Sequence, residues 1–318
     1  MAGSSVPDPH RTPARAGLQG ALPCPDVQLG PEYLKRLERL SLRFAAGLER
    51  REGAGRASLL GAGEEYVTSR PYRPGEDLRQ LDWDLLARLD RPYIRVSRRE
   101  ASEFWSLWID TSASMGVGPP GKLQMAAEVA GGIAAAGLQV GAKIELVAGE
   151  QRLLARKLSD IGALLSFLRD LRAQGATGLG GLGASLQAGR PASHVGRLFL
   201  IGDLLDMDPA QALSWMRPGR ELFWVQVLAP LELLPVGASG LGVEQAGTRH
   251  GDWVEWLDPE GSERLSVRLD GANLEAYEMS LERQLEAWQS MASKHGVSHG
   301  LFPSDSPFES AVRAILEP

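Results

Sequence analysis

The chain has 318 residues, 43% of them hydrophobic and 23% charged, with a formal net charge of −6 and a single cysteine, Cys24. That length allows one large domain or two modest ones, and the composition is that of an ordinary globular protein. The acidic balance argues against a global nucleic-acid footprint, and one Cys excludes both an internal disulfide and a thiolate metal cluster.

Residues 1–29 are rich in Pro, Gly and Ala, show no periodicity, and are expected to form a disordered tail. They carry no apolar h-region, so a signal peptide is not expected. From Pro31 the pattern turns helical. Leu34, Leu37, Leu40, Leu42, Phe44 and Leu48 recur at roughly helical spacing, and Gly53-Ala54-Gly55 closes the run. Residues 56–103 are mixed, with turn signals at Gly61-Ala62-Gly63 and Pro74-Gly75 and an alternating strand pattern over Tyr93–Arg98. The stretch 30–102 thus reads as a helix followed by an Arg-rich segment.

From Glu103 the order becomes strand, helix, strand, helix. Strands are expected at 104–109, 143–148, 151–156, 197–201 and 222–228. Helices are expected at 122–140, 160–172, 179–188 and 209–216. Alternation of this kind predicts a doubly wound, mostly parallel α/β sheet of Rossmann type covered on both faces. The rhythm breaks at 235–270, where 253–257 and 264–269 look like a small β excursion. A long helix at 274–295, a strand at 297–302 and a helix at 308–316 follow. The Ala/Gly-rich stretch from Ala126 to Ala142 is interrupted by Glu128 and Gln139, so it reads as a buried helix and not a membrane span. A cytoplasmic location is expected.

The stretch Ser106-Leu107-Trp108-Ile109-Asp110-Thr111-Ser112-Ala113-Ser114-Met115 is the most informative in the chain. An apolar run ends in one carboxylate, and hydroxyls follow at spacings of two. Ligand sites of open α/β sheets gather at the carboxyl ends of strands. Asp110, Ser112 and Ser114 would there offer hard oxygens of the kind that suits Mg²⁺. The same residue types also cap helices, and both roles stay open on the local pattern. Further ligands would have to come from other strand ends. Thr177 lies in Gly175-Ala176-Thr177-Gly178, and Asp203 follows Phe199-Leu200-Ile201-Gly202. Asp203, Asp206 and Asp208 are each possible caps for the helix near Pro209.

Taken together, Asp-x-Ser-x-Ser, a later Thr and a later Asp resemble the von Willebrand factor A fold and its metal-ion-dependent adhesion site. The resemblance assigns metal-binding roles to Asp110, Ser112, Ser114, Thr177 and Asp203. It also implies that an acidic side chain from a partner completes the coordination. A second motif, Arg70-Pro71-Tyr72-Arg73-Pro74-Gly75-Glu76-Asp77-Leu78-Arg79-Gln80-Leu81-Asp82-Trp83, resembles the signature of a bacterial family known as domain of unknown function 58, with Glu76 and Leu81 as mild departures. Trp256-Leu257-Asp258-Pro259-Glu260-Gly261 resembles that family's late Asp-x-Glu turn. Gly178 departs from it, standing where an Asp often follows the Thr. The resemblance implies partnership with an AAA+ ATPase of the MoxR type, and an adaptor or assembly role.

Between Arg70 and Arg99 there are eight Arg against five acidic residues. Because the signs are interleaved, Arg73, Arg79 and Arg88 are expected to pair with Glu76, Asp77, Asp82 and Asp84, and Trp83 is expected to anchor the core. Enzyme motifs fail. Gly116–Lys122 fits the first seven positions of a phosphate loop, but the eighth is Leu123 and not Ser or Thr, and Pro119 and Pro120 lack N–H groups. Lys122 is expected simply to open the next helix. Neither Gly-x-Ser-x-Gly nor His-Glu-x-x-His occurs, and the five histidines are scattered.

The chain is therefore expected to be a non-catalytic docking protein that uses Mg²⁺, with Mn²⁺ as an alternative ion. Its expected partner is a MoxR-type ATPase, a client, or both. A metal-free scaffold is the runner-up. A metal-assisted phosphohydrolase is a third reading, for which no general base is evident.

Overall fold

The computed structural model describes residues 26–51, 59–61, 65–72, 81–99, 103–118, 120–175, 178–179, 196–233, 253–257, 260, 264–268 and 270–317. Its centre is a six-stranded sheet built from β4 (Phe104–Ile109), β5 (Lys143–Ala148), β6 (Gln151–Ala155), β7 (Arg197–Gly202), β8 (Glu221–Leu228) and β11 (Ser298–Pro303). The spatial order is β11-β8-β7-β4-β5-β6. Every pair is parallel except β5 with β6, which are joined by a tight turn. This is the expected α/β architecture with a mostly parallel, Rossmann-like sheet. The order reverses direction between β4 and β7, so the carboxyl ends of those two strands form the crevice where such sheets bind ligands.

Strand period sorts the core into two faces. Trp105, Leu107 and Ile109 of β4 join Ile144, Leu146, Phe199, Ile201, Phe223 and Val225 on one face. Trp108 of β4 joins Val147, Leu198, Leu200, Leu222 and Trp224 on the other. The first face is covered by α3 (Lys122–Gln139), with α1 (Pro31–Arg51), α4 (Ile161–Arg169) and α8 (Phe308–Leu316) packed in the same cluster. The second face is covered by α5 (Pro209–Leu213) and α7 (Gly271–His295), which contribute Ala212, Trp288 and Ala292. Trp288 meets Trp224 edge-on, ring centroids 4.8 Å apart.

The helix α3 is buried on almost every side, as a helix apolar all round must be. Its Ala/Gly content lets neighbours approach. A Cβ on Gly132 would lie 2.6 Å from Val312 Cγ2 of α8. Tyr33 of α1 crosses Gly131, and its hydroxyl donates to the Glu128 carbonyl at 2.9 Å. Tyr33, Leu37, Leu40 and Phe44 bury the apolar stripe of α1, whereas Leu42 is exposed. Val27 and Leu29, inside the stretch expected to be a disordered tail, are buried in the same core, and Arg169 Nη2 donates to the Leu29 carbonyl at 2.8 Å. Residues 1–25 lie outside the described residues.

Ahead of the main sheet, β1 (Leu59–Gly61), β2 (Glu65–Pro71) and β3 (Tyr93–Arg99) form a three-stranded antiparallel sheet, order β1-β3-β2. Only the last of these was expected. The short helix α2 (Trp83–Leu89) sits between β2 and β3, with Asp82 as its N-cap accepting from Leu85 N at 3.2 Å. Trp83, expected as a core anchor, is instead 65% exposed. As the first residue after the cap it lies on the outer side of a helix that buries none of its own residues. Of the expected Arg–acid pairing, Arg73, Glu76, Asp77 and Arg79 lie outside the described residues. The β excursion consists of β9 (Trp253–Leu257) and β10 (Arg264–Arg268), paired antiparallel. Among the described residues no helix is long and apolar enough to cross a membrane.

Gly137 tests the packing of α3. A Cβ there would lie 2.6 Å from Ile144 Cδ1 and 2.7 Å from the Trp105 ring. In an open helix Gly→Ala stabilises by about 1 kcal/mol. Here the overpacking cost, typically about 1–3 kcal/mol, should reverse the sign. Gly137→Ala is expected to lower the urea midpoint, and a raised midpoint would show that the helix has room to spare.

Candidate metal centre

Asp110 stands one residue past β4, and its backbone N–H donates to the Ile201 carbonyl at 2.8 Å, extending the β4–β7 ladder by one rung. Its carboxylate Oδ1 accepts from Ser112 N at 2.8 Å and from Ser112 Oγ at 2.7 Å. This is the local Asp-to-backbone turn that Asp forms readily. The Ser112 hydroxyl is also 3.0 Å from that of Ser114. Ser112 precedes a short 3₁₀ turn, Ala113–Gly116, yet makes no capping bond to it. Its side chain is directed back to Asp110 instead. The other oxygen, Asp110 Oδ2, is buried and has no hydrogen-bond partner among the described residues.

Asp203 stands at the end of β7, the strand beside β4. Gly202 is what allows the two acids to approach, because a Cβ at 202 would lie 2.6 Å from the Cβ of Asp110. Asp208, not Asp203, caps α5, accepting from Ala210 N at 2.7 Å. Asp203 is thereby left to the crevice. Its Oδ1 accepts from Leu205 N at 3.3 Å, and its backbone carbonyl accepts from Gln226 Nε2 at 2.8 Å. Gln226 in turn lies 3.3 Å from His299 Nε2 on β11.

Two residues that sequence reasoning placed elsewhere belong to this site. Lys122 does open α3, but its side chain is 1% exposed and runs inward. Its Nζ donates to Asp203 Oδ2 at 2.8 Å and to Glu232 Oε1 at 2.6 Å. Glu232 lies in α6 (Pro230–Leu233) and is held by Ala229 N at 2.7 Å. Asp206 was considered only as a cap. It joins Asp110 and Asp203 in a cluster in which each offers one carboxylate oxygen within 4.8 Å of the others. The Gly before Asp203 and the Pro209 that favours a cap at Asp208 were the available signals for this arrangement.

Thr177 lies outside the described residues. Its described neighbours reach the site: Gly175 accepts from Ala113 N at 2.9 Å, and Gly178 lies against the Asp206 carboxylate.

Electrostatics follow from this crowding. Unit charges about 5 Å apart repel by roughly 3 kcal/mol at an effective dielectric near 20. Burial raises the pKa of Asp110 to about 6, against the two Ser112 bonds that lower it; the charges of Asp203 and Asp206 push further upward. Burial, then the Asp203 charge, also raises Asp206. Burial works to lower Lys122, but Asp203 and Glu232 outweigh it and hold the ammonium charged. The donors are all oxygens, and one of them is orphaned. That set fits a hard divalent cation.

The chain matches the family described as "Protein of unknown function DUF58" over residues 68–258. It belongs to that family. Asp110, Lys122, Asp203, Asp206 and Glu232 all fall inside the matched span. This DUF58 chain is also 32% identical over 195 residues to uncharacterized proteins of Mycobacterium bovis (Mb1516) and Mycobacterium tuberculosis (Rv1480). The match covers 56% of this chain and 59% of each relative, so the chain spans little more than half the length of these relatives.

The raised Asp110 pKa makes a signed prediction for the protein without divalent cations. The folded state keeps a proton that the unfolded state releases near pH 4, so this group's contribution to stability falls as pH rises from about 4 to about 6. The slope is roughly 1 kcal/mol per pH unit in that window. Denaturation in EDTA at pH 5 and pH 7 should show a smaller pH difference for Asp110→Asn than for the parent. Equal differences would show that Asp110 ionises without strain.

Proposed function

We propose that this DUF58 protein is a non-catalytic docking module of the von Willebrand factor A type, with a divalent-cation site at the β4–β7 crevice. The observation that carries it is the buried Asp110 Oδ2, unpartnered among the described residues, in a cluster with Asp203 and Asp206. A lone buried carboxylate oxygen is costly unless something positive meets it. Asp110 and Asp203 would supply charge to Mg²⁺ or Mn²⁺, and Ser112, Ser114 and Thr177 would position oxygens directly or through water. The ion, when bound, supplies a positive charge at the sheet edge that an acidic side chain of a partner can meet. The family resemblance makes a MoxR-type AAA+ ATPase, a client, or both the expected partner.

One observation favours a second reading, a metal-free scaffold. Lys122 already places a cation on Asp203 Oδ2. Glu232 shares that ammonium, however, and Asp110 receives nothing from it among the described bonds.

Thermal melts separate the two. A ligand present at about 100 times its Kd stabilises by roughly 2.7 kcal/mol, which for a domain of this size is a rise in Tm of about 5 °C. Mg²⁺ or Mn²⁺ is expected to produce that rise in the parent and not in Asp110→Ala, whose circular dichroism should match the parent. A parent that ignores both ions would support the scaffold. Capture of the host's MoxR-type ATPase should likewise need the cation and Asp110, and equal capture in EDTA would count against docking through metal.

A further inference from the structure

Asp206 lies outside the set Asp110, Ser112, Ser114, Thr177 and Asp203 that the resemblance assigns, yet its carboxylate stands with those of Asp110 and Asp203. The local chain explains how. Leu204 adopts a left-handed conformation, φ 57°, and turns the backbone directly after Asp203. Asp208 takes the cap of α5, so Asp206 is not needed there. Across the crevice, a Cβ at position 178 would lie 2.5 Å from Asp206 Oδ2, with the rest of the Asp206 carboxylate 3.3–3.4 Å away. The Asp206 carboxylate occupies the space that a side chain at 178 would fill.

The three acids differ in access. Asp110 and Asp203 are buried, at 1% and 2% exposure, and Asp110 Oδ2 is an acceptor inside the cluster with no partner among the described residues. Asp206 is exposed. It is the one member whose side chain has open solvent to swing into.

We infer that Asp206 is the chain's own outermost ligand, a displaceable carboxylate holding the position that a partner's acidic side chain takes on docking. The inference rests on the metal-dependent docking reading above. Docking is then an exchange of one carboxylate for another at the ion, with its charge balance unchanged. Selectivity follows. Only a group that binds the cation at least as well as a carboxylate displaces Asp206, so water and neutral side chains leave the site closed on itself.

The test uses the full chain and Mn²⁺ as the probe, read by titration calorimetry and by electron paramagnetic resonance. Asp206→Asn should bind Mn²⁺ about tenfold more weakly than the parent, and added acetate should restore the affinity of the variant without tightening the parent. Gly178→Ala removes no ligand, but its Cβ pushes the Asp206 carboxylate out. It should reproduce the Asp206→Asn loss, and the double variant should be no weaker than either single one. Parent-like Mn²⁺ affinity in Asp206→Asn overturns the inference, as does a weakened variant that acetate does not rescue. Asp110→Asn is the separate control. If it loses Mn²⁺ binding while Asp206→Asn does not, the inference alone falls; if Mn²⁺ does not bind the parent, the metal reading itself falls.

Discussion

Backbone pairing forces like charges together at one edge of this sheet. The β4–β7 register brings Asp110 and Asp203 to adjacent strand ends, and Asp110 N is itself bonded to Ile201, so the two acids cannot separate without breaking the ladder. The register is in turn held by apolar side chains on both faces, such as Leu107 against Phe199 and Trp108 against Leu200. A one-residue slip would invert all of them. The stability of the hydrophobic sandwich thus imposes an electrostatic cost at its rim. Such local conflicts between the folding optimum and a cluster of like charges are where functional sites are expected.

Much of this was legible in the sequence. The strands 104–109 and 143–148 and the helix 308–316 occur as expected, because a bounded apolar run or a strong helical stripe leaves few alternatives. The break between β7 and α5 was legible from Gly202 and Pro209. Lys122 was not. A Lys in a first helical turn is ordinarily solvated, and only the tertiary placement of Asp203 and Glu232 draws it inside. Trp83 misled for the opposite reason: a large aromatic next to a Pro/Gly-rich motif looks like an anchor, but among the described residues of that segment the buried groups are Leu81 and the cap Asp82. With Asp203, Asp206 and Asp208 so close in sequence, composition alone could not divide capping from clustering. The hydrogen bonds do, by giving the cap to Asp208.

The location of α1 shows a further limit. Its stripe of Leu37, Leu40 and Phe44 declared a buried face without saying against what. The informative signal lay elsewhere, in the Ala/Gly composition of α3. A helix with small residues on every side is built for close neighbours on every side, here β4, α1 and α8.

Lys122 decides how the rim tolerates its charge. A lysine ammonium so deeply buried is held by two carboxylates, and losing either contact would leave a partner poorly matched. Glu232 is anchored a second time by Ala229 N, and the Tyr277 hydroxyl donates to its backbone carbonyl at 2.9 Å, so it cannot follow Lys122 outward. Expelling the ammonium to make room for a divalent ion would strand Glu232 in a site that already raises its pKa through burial. Co-occupancy avoids that penalty. Lys122 holds Asp203 by Oδ2, while among the described residues Oδ1 accepts only a long bond from Leu205 N. One oxygen of Asp203 is committed to the fold, and the other remains for the crevice. The lysine is thus a structural cation that fixes the orientation of Asp203, and its contacts leave the carboxylates of Asp110 and Asp206 facing the crevice.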